Sequence, residues 1–374
     1  MKYIDEYRDN ITIKALSEKI RKITSGSWRI MEVCGGQTHN IMKYNLESLL
    51  PPGISLIHGP GCPVCVTPVD MIDKAVYLAS QPDIILVSYG DMLRVPGTYS
   101  DLQSCRTMGR DVRMIYSPLQ AVKIAKENPD KKVVFFSVGF ETTAPANAMS
   151  LLAAGRANLD NYFMLCSHVT IPAAIKLLLS NKENGIQGFL LPGHVCTVMG
   201  YEEYIQISRD YRIPAVVTGF EPADILNGIY ALIKQLEDGM YQVENQYSRT
   251  VRSEGNLQAK AVMEQVFTPC HQNWRGIGVI PDSGLKIGDG YAAFDAEIAF
   301  GLNNINIKER LESVYKQKQI DSDLLCIAGK VLQGISKPAE CPAFSTVCTP
   351  EHPLGAPMVS SEGACAAYYR YWKK

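Results

Sequence analysis

The sequence predicts an α/β fold: two related α/β halves with parallel sheets flanking a cleft, followed by a third region of mixed, irregular construction. Three observations carry this. Short apolar runs alternate with helical stretches from residue 28 onward. A motif recurs, Val138-Gly139-Phe140-Glu141 as Thr218-Gly219-Phe220-Glu221, each time between a strand-like and a helix-like stretch. After residue 240 the alternation stops. Strands alternating with helices imply βαβ units and parallel sheet, and in such sheets ligands sit at the carboxyl ends of the strands.

The elements follow in order. Residues 4–24 read as an amphipathic helix, with Ile4, Ile11, Ile13, Leu16 and Ile20 set among charges and Gly26 and Ser27 behind it. Strand-like runs are Ile30–Val33, Ile54–Ile57, Ile84–Ser88, Val112–Tyr116, Val133–Val138, Tyr162–Cys166, Gly188–Leu191 and Ala215–Thr218. Helical periodicity fills most gaps, as in Asp70–Ala79, Leu119–Glu127, Ala144–Ala154 and Pro172–Leu179. Gly59-Pro60-Gly61-Cys62 and Gly193-His194-Val195-Cys196 form a second, looser repeat. The expected division is 28–145 and 146–240, with 241–374 joined by the helix of residues 1–27 as the third region. Two such halves would leave a binding cleft between them. In that third region, residues 241–255 look extended, Ala259–Val266 helical and 296–320 helical and charged, while 274–290 hold five glycines without clear alternation.

Composition excludes some functions. The 374 residues carry 37 basic and 38 acidic side chains, a net charge of −1, which argues against a nucleic-acid partner. No apolar run approaches the ~18 residues of a membrane span, and the start of the chain lacks the apolar core of a signal peptide. A soluble, cytoplasmic protein without a membrane partner is expected.

The eleven cysteines are the unusual feature. A chain this long needs no disulfide staples, and in a reducing compartment many cysteines point to metal ligation or thiol chemistry. Cys105, Cys166 and Cys270 stand alone and read as buried small hydrophobes. Cys326, Cys341, Cys348 and Cys365 are separated by 14, 6 and 16 residues. Four thiolates suit a [4Fe–4S] cluster or structural zinc. Zinc ribbons bring closely spaced cysteine pairs, which are missing here, whereas wide spacing lets four loops converge on a cubane. Prolines 338, 342, 350, 353 and 357 would stiffen those loops. Unligated thiols are the remaining alternative.

Cys62-Pro63-Val64-Cys65 is a C-x-x-C on the Gly59-Pro60-Gly61 loop. It reads as a dithiol redox pair, as half of a metal site, or as a turn with two incidental thiols. Cys34, in Val33-Cys34-Gly35-Gly36-Gln37-Thr38-His39, closes a strand ahead of two glycines. The following helix N-terminus would lower its pKa; the plainer reading is a glycine-rich turn with a buried thiol. His39, His58, His168 and His194 also fall near strand ends. Glu141, in Glu141-Thr142-Thr143, is either a proton donor or acceptor, or part of a helix start with Thr142 or Thr143 as cap and Pro145 in the first turn.

These motifs, taken together and in this order with the 14/6/16 cysteine spacing, resemble the HypD family of [NiFe]-hydrogenase maturation scaffolds over essentially the whole chain. Five such motifs, with Gly139-Phe140-Glu141-Thr142-Thr143-Ala144-Pro145 and Pro192-Gly193-His194-Val195-Cys196 among them, are specific, and no departure falls within them. The resemblance implies one [4Fe–4S] cluster on Cys326, Cys341, Cys348 and Cys365, making the third region the Fe–S-binding one. It implies a small HypC-type chaperone as partner, and a HypE-type protein whose thiocyanated C-terminus donates cyanide. It places the iron of the assembling Fe(CN)₂CO unit on Cys34, with the redox dithiol on Cys62 and Cys65 at the same metal centre. Low-spin iron carrying CN⁻ and CO needs soft donors, which fits thiolate. Glu141 and His194 are candidate hydrogen-bonding or proton-transferring residues. The competing readings are an Fe–S-dependent disulfide reductase and a zinc-stiffened binding scaffold.

Overall fold

The computed structural model describes residues 4–315 and 325–372. Among them, eleven strands form two sheets. They are β1 (Trp28–Glu32), β2 (Ile54–His58), β3 (Ile84–Ser88), β4 (Val112–Met114), β5 (Lys132–Gly139), β6 (Tyr162–Val169), β7 (Gly188–Pro192), β8 (Ala215–Thr218), β9 (Val243–Asn245), β10 (Phe267–Trp274) and β11 (Gly278–Ile287). The first sheet has the order β2-β1-β7-β8-β9 and is parallel throughout. The second has the order β10-β11-β6-β5-β3-β4, parallel from β6 to β4, with an antiparallel β10–β11 hairpin on its β6 edge.

The strands were expected to divide between consecutive halves at residue 145, and their pairing does not follow that division. The chain lays down β1 and β2, crosses over to build β3 to β6, and returns to add β7 to β9 to the first sheet. Apolar strands such as Ile84–Ser88 and Gly188–Pro192 are buried along their whole length, which suits parallel strands covered on both faces. Such strands carry no mark of which neighbour they will take. The repeated Gly-Phe-Glu motif therefore lies at the ends of strands in different sheets, β5 and β8.

The β10–β11 hairpin lies in the glycine-containing stretch that showed no alternation. The Leu257–Val266 helix precedes it. One turn carries Gly276 and Gly278, both at positive φ, a backbone region open to glycine at little cost. At the N-terminus, the Asn10–Ile23 helix starts where the Asp9 side chain accepts a hydrogen bond from the Thr12 N–H at 2.8 Å. It buries Leu16 and Ile20, leaves Ile11 exposed, and packs on the Pro222–Glu237 helix of the first sheet rather than on the C-terminal region. The expected 296–320 helical stretch includes Ile307–Tyr315; residues 316–320 lie outside the described residues.

The core between the sheets contains Met31, Ile57, Phe189 and Val217 from one sheet and Val169, Trp274 and Ile280 from the other, and it also buries Cys62 and Cys65. The C-terminal segment folds back onto this region. Its Ala364–Tyr371 helix packs on the Gly35–Lys43 helix through Tyr368, Ala367 and Met42. His39 meets Tyr371 edge-on at 5.2 Å and faces the Ser361 carbonyl with Nδ1 at 3.1 Å. Among the described residues no helix is long and apolar enough to cross a membrane.

Candidate functional site

In the first sheet the strand order reverses between β1 and β7: β2 extends one side of β1, and β7 with its successors the other. Two parallel strands whose connections leave in opposite directions open a space at their carboxyl ends, where α/β proteins bind ligands. Cys34 follows β1 and His194 follows β7, so both fall at this point. Cys34 Sγ and His194 Nδ1 are 3.6 Å apart. Burial lowers the His194 pKa to about 4, so the imidazole is neutral near pH 7. Phe220, from the repeat motif after β8, covers the ring with centroids 5.3 Å apart.

Cys34 caps the Gly35–Lys43 helix with extended backbone, and its thiol lies at the helix start as expected. The expected low pKa does not follow. The side chain is fully buried, and desolvation pushes the thiol well above its ordinary value. The Gln37 and Gly36 backbone N–H groups favour the thiolate, yet burial outweighs them and Glu32 and Glu362 add negative field. Without metal, the thiol keeps its proton.

Glu32 escaped the reading of the motifs although it sits in the centre of this site. It lies in an otherwise apolar run, Ile30-Met31-Glu32-Val33, and is 1% exposed. Its carboxylate accepts from the Cys34 N–H at 2.8 Å and from the Thr38 hydroxyl, and lies 2.7 Å from His58 Nδ1. Parallel register places His58 opposite Glu32 on β2. An acid interrupting a buried strand was the signal available for it, since carboxylates are rarely buried without partners.

The Cys62–Cys65 loop packs directly under Cys34. Gly35 N–H donates to the Gly61 carbonyl at 2.9 Å. A Cβ on Gly61 would stand 2.2 Å from the Cys34 backbone nitrogen, so only glycine permits this approach. Cys62 caps the short Pro63–Val66 helix, and its carbonyl accepts from the Cys65 N–H at 3.1 Å. Both are free thiols. Burial pushes the Cys65 thiol well up, with Cys62, Cys365 and Glu362 adding to it. Both Cys62 and a C-terminal cysteine thus disfavour the Cys65 thiolate.

Cys326, Cys341, Cys348 and Cys365 come together around one apolar cavity with Val331, Phe344, Met358 and Pro357. Burial raises Cys365 well above its ordinary value, with Cys326, Cys348 and Cys341 contributing. The Leu354 N–H donates to Cys348 Sγ at 3.4 Å, a contact that would stabilise a thiolate. Among the described residues, no three or more His, Cys, Asp or Glu side chains converge on a single-ion centre. Four thiols around a shared apolar cavity are a donor set that suits a [4Fe–4S] cluster or a zinc ion alike.

Other expected residues lie elsewhere. Glu141, after β5, lines a separate cavity that excludes Cys34, Cys62, Cys65 and His194. His168 hydrogen-bonds with Ser137 at 2.8 Å and Asn147 at 3.0 Å, and burial lowers its pKa to about 4. Cys105 is buried as expected, whereas Cys166 and Cys270 are only half-buried. Thr143 caps its helix by position but makes no side-chain cap bond.

Comparison with known proteins shows the family. Residues 11–372 match the family model HypD, described as the hydrogenase formation hypA family. The chain is 44% identical over 381 residues to the hydrogenase maturation factor HypD of Rhizobium leguminosarum bv. viciae, covering 99% of this chain and 96% of that one. It is 43% identical over 383 residues to that of Azotobacter vinelandii, covering 100% and 98%. To that of Escherichia coli K12 it is 43% identical over 379 residues, covering 99% and 98%. The chain belongs to the HypD family of hydrogenase maturation factors.

Proposed function

We propose that this chain is the scaffold on which the Fe(CN)₂CO unit of a [NiFe]-hydrogenase is assembled, acting with a HypC-type chaperone and receiving cyanide from a HypE-type donor. The observation that carries the proposal is that three groups of thiols lie on neighbouring segments. Cys34, beside His194, packs on the loop of Cys62 and Cys65, and the Pro63–Val66 helix contacts the Ala356–Met358 turn, whose Pro357 and Met358 line the four-cysteine cavity.

The iron is cargo, and Cys34 is its thiolate ligand here, with a second thiolate expected from the chaperone. Binding must release the Cys34 proton. His194 Nδ1, neutral and hydrogen-bonded to the thiol, receives it. The low basicity of the imidazole then releases the proton to solvent water, which reaches the partly exposed His194, instead of storing it.

Cyanide arrives on sulfur as a thiocyanate, and freeing it as cyanide takes two electrons. Cys62 and Cys65 supply them. Thiocyanate plus two thiols gives the donor's thiol, cyanide with one proton, and a Cys62–Cys65 disulfide. Two protons and two electrons leave the dithiol, one proton going to the donor sulfur and one accompanying cyanide. Cys326, Cys341, Cys348 and Cys365 would hold a [4Fe–4S] cluster, which supplies or accepts one electron at a time. The apolar wall of their cavity keeps water from those thiolates. The buried Cys34 pocket does the same for the cyanide-bearing iron.

Infrared spectroscopy of the complex co-purified with the chaperone tests this reading. Cys34→Ser is expected to leave visible absorption of the protein intact and to abolish the CN and CO bands. Bands of full intensity in that variant would make Cys34 structural.

A further inference from the structure

A cavity of about 930 Å³ opens between the Ile171–Ser180, Glu202–Tyr211 and Leu257–Val266 helices and the β10–β11 hairpin. That size lies within the ~300–1,000 Å³ typical of small-molecule sites. Its walls are apolar, from Leu177, Met263, Phe267, Ile280 and Leu285 among others. The thiol chemistry proposed above uses none of it.

Two polar groups in this cavity lack partners. Glu141 is 1% exposed; Oε1 accepts from the Ile171 N–H at 2.9 Å, while the buried Oε2 has no partner among the described residues. Tyr204, on the facing helix, is 3% exposed, and its hydroxyl is unpartnered as well. Buried polar atoms are nearly always hydrogen-bonded, so two orphans lining one cavity point to a missing ligand.

The charge balance narrows its class. Glu141, Glu202, Glu203, Glu264 and Asp282 line the cavity against Lys176 and Lys260. Glu203 also pairs with Lys176 at 3.3 Å. Such a site repels phosphates and carboxylates and attracts cations. We propose that this cavity binds a small organic cation, an ammonium or guanidinium group on an apolar body, with Glu141 as counter-ion and Tyr204 as the second polar contact. Burial raises the Glu141 carboxyl to about 7, so an incoming cation meets a group that ionises readily near neutral pH.

Calorimetric titration of the full-length protein tests this with four probes: hexylamine, agmatine, hexanol and hexanoate. Hexylamine and agmatine should bind saturably at millimolar concentration, hexanol at least tenfold more weakly, and hexanoate not at all. Glu141→Gln, which preserves shape, should weaken the amines at least tenfold. Ala173→Trp fills the wall while leaving Glu141 in place, and should abolish binding with an unchanged circular dichroism spectrum and unfolding midpoint. Equal binding of hexanol and hexylamine would overturn the proposal. So would amine affinity unchanged in folded Glu141→Gln or Ala173→Trp, or no saturable binding of either amine to the native protein.

Discussion

Glu32 shows how a single buried carboxylate organises the Cys34 site. It receives the Cys34 N–H and the Thr38 hydroxyl, and it faces His58 across the strand pair. Glu32→Gln keeps the volume but turns an amide N–H₂ toward groups that need an acceptor. A buried donor left unmatched costs about 1–3 kcal/mol, so urea unfolding should show a loss of that size. A loss below about 0.5 kcal/mol, the level of ordinary surface changes, would mean that Glu32 is merely tolerated there. Glu141 makes a prediction about pH. Its folded-state pKa of about 7 exceeds the ordinary 4.5, so the native state binds the proton more tightly. The resulting stability is fully present below pH ~4.5 and is lost as pH rises through ~7, by up to about 3 kcal/mol. Unfolding measured at pH 5 and pH 8 should show native protein losing stability relative to Glu141→Gln. A constant difference across that range would contradict the assignment.

Single elements determine how the sheets are closed. The N-terminal helix is built from a weakly apolar stretch, and its start depends on the Asp9 side chain accepting from the Thr12 N–H. Asp9→Ala should cost ~1 kcal/mol of stability, typical of a lost N-cap. Thermal or urea unfolding measures this, and an unchanged midpoint would show that packing of Leu16 and Ile20 alone holds the helix. At the far end of the same sheet, Asp224 holds Arg249 through two hydrogen bonds of 2.8 and 2.7 Å. The guanidinium lies between the Tyr7 and Tyr247 rings, 4.1 and 4.4 Å from their centroids. This stack fastens the N-terminal segment and the 241–255 stretch to the Pro222–Glu237 helix, behind the loop that carries Phe220.

On the scale of the whole molecule, the C-terminal segment is a lid of thiols over the first sheet. Tyr368, Ala367 and His39–Tyr371 contacts tie it to the helix that begins at Cys34. Metal binding and local folding are coupled in such segments, because loops without a large core gain stability from their ligands. On the proposed cluster assignment, anaerobically purified protein is expected to be brown, and Cys341→Ala should bleach that visible absorption and speed proteolysis beyond residue 325. Full absorbance in that variant would remove Cys341 from the ligand set.

Much of this was legible in one dimension. The eight runs expected as strands correspond to β1 through β8 with ends within about two to three residues, because each is a short apolar run bounded by turn-forming residues. Through residue type and spacing, the Cys34, Cys62–Cys65 and C-terminal motifs marked the cysteines that the fold places at the end of β1, on the loop packed against it and around one cavity. Strand order was decided only in three dimensions. β1 takes β7 as its neighbour across more than a hundred residues, since uniformly apolar parallel strands encode burial on both faces but not identity of partner. That pairing brings His194 to Cys34 and leaves Glu141 in another cavity. The pKa of Cys34 was likewise settled by packing. A helix N-terminus favours thiolate, and the sequence contains that helix, but desolvation depends on what covers the sulfur. Residue types and spacing determined which side chains are candidates for chemistry; the crossing of the chain between two sheets decided which of them meet.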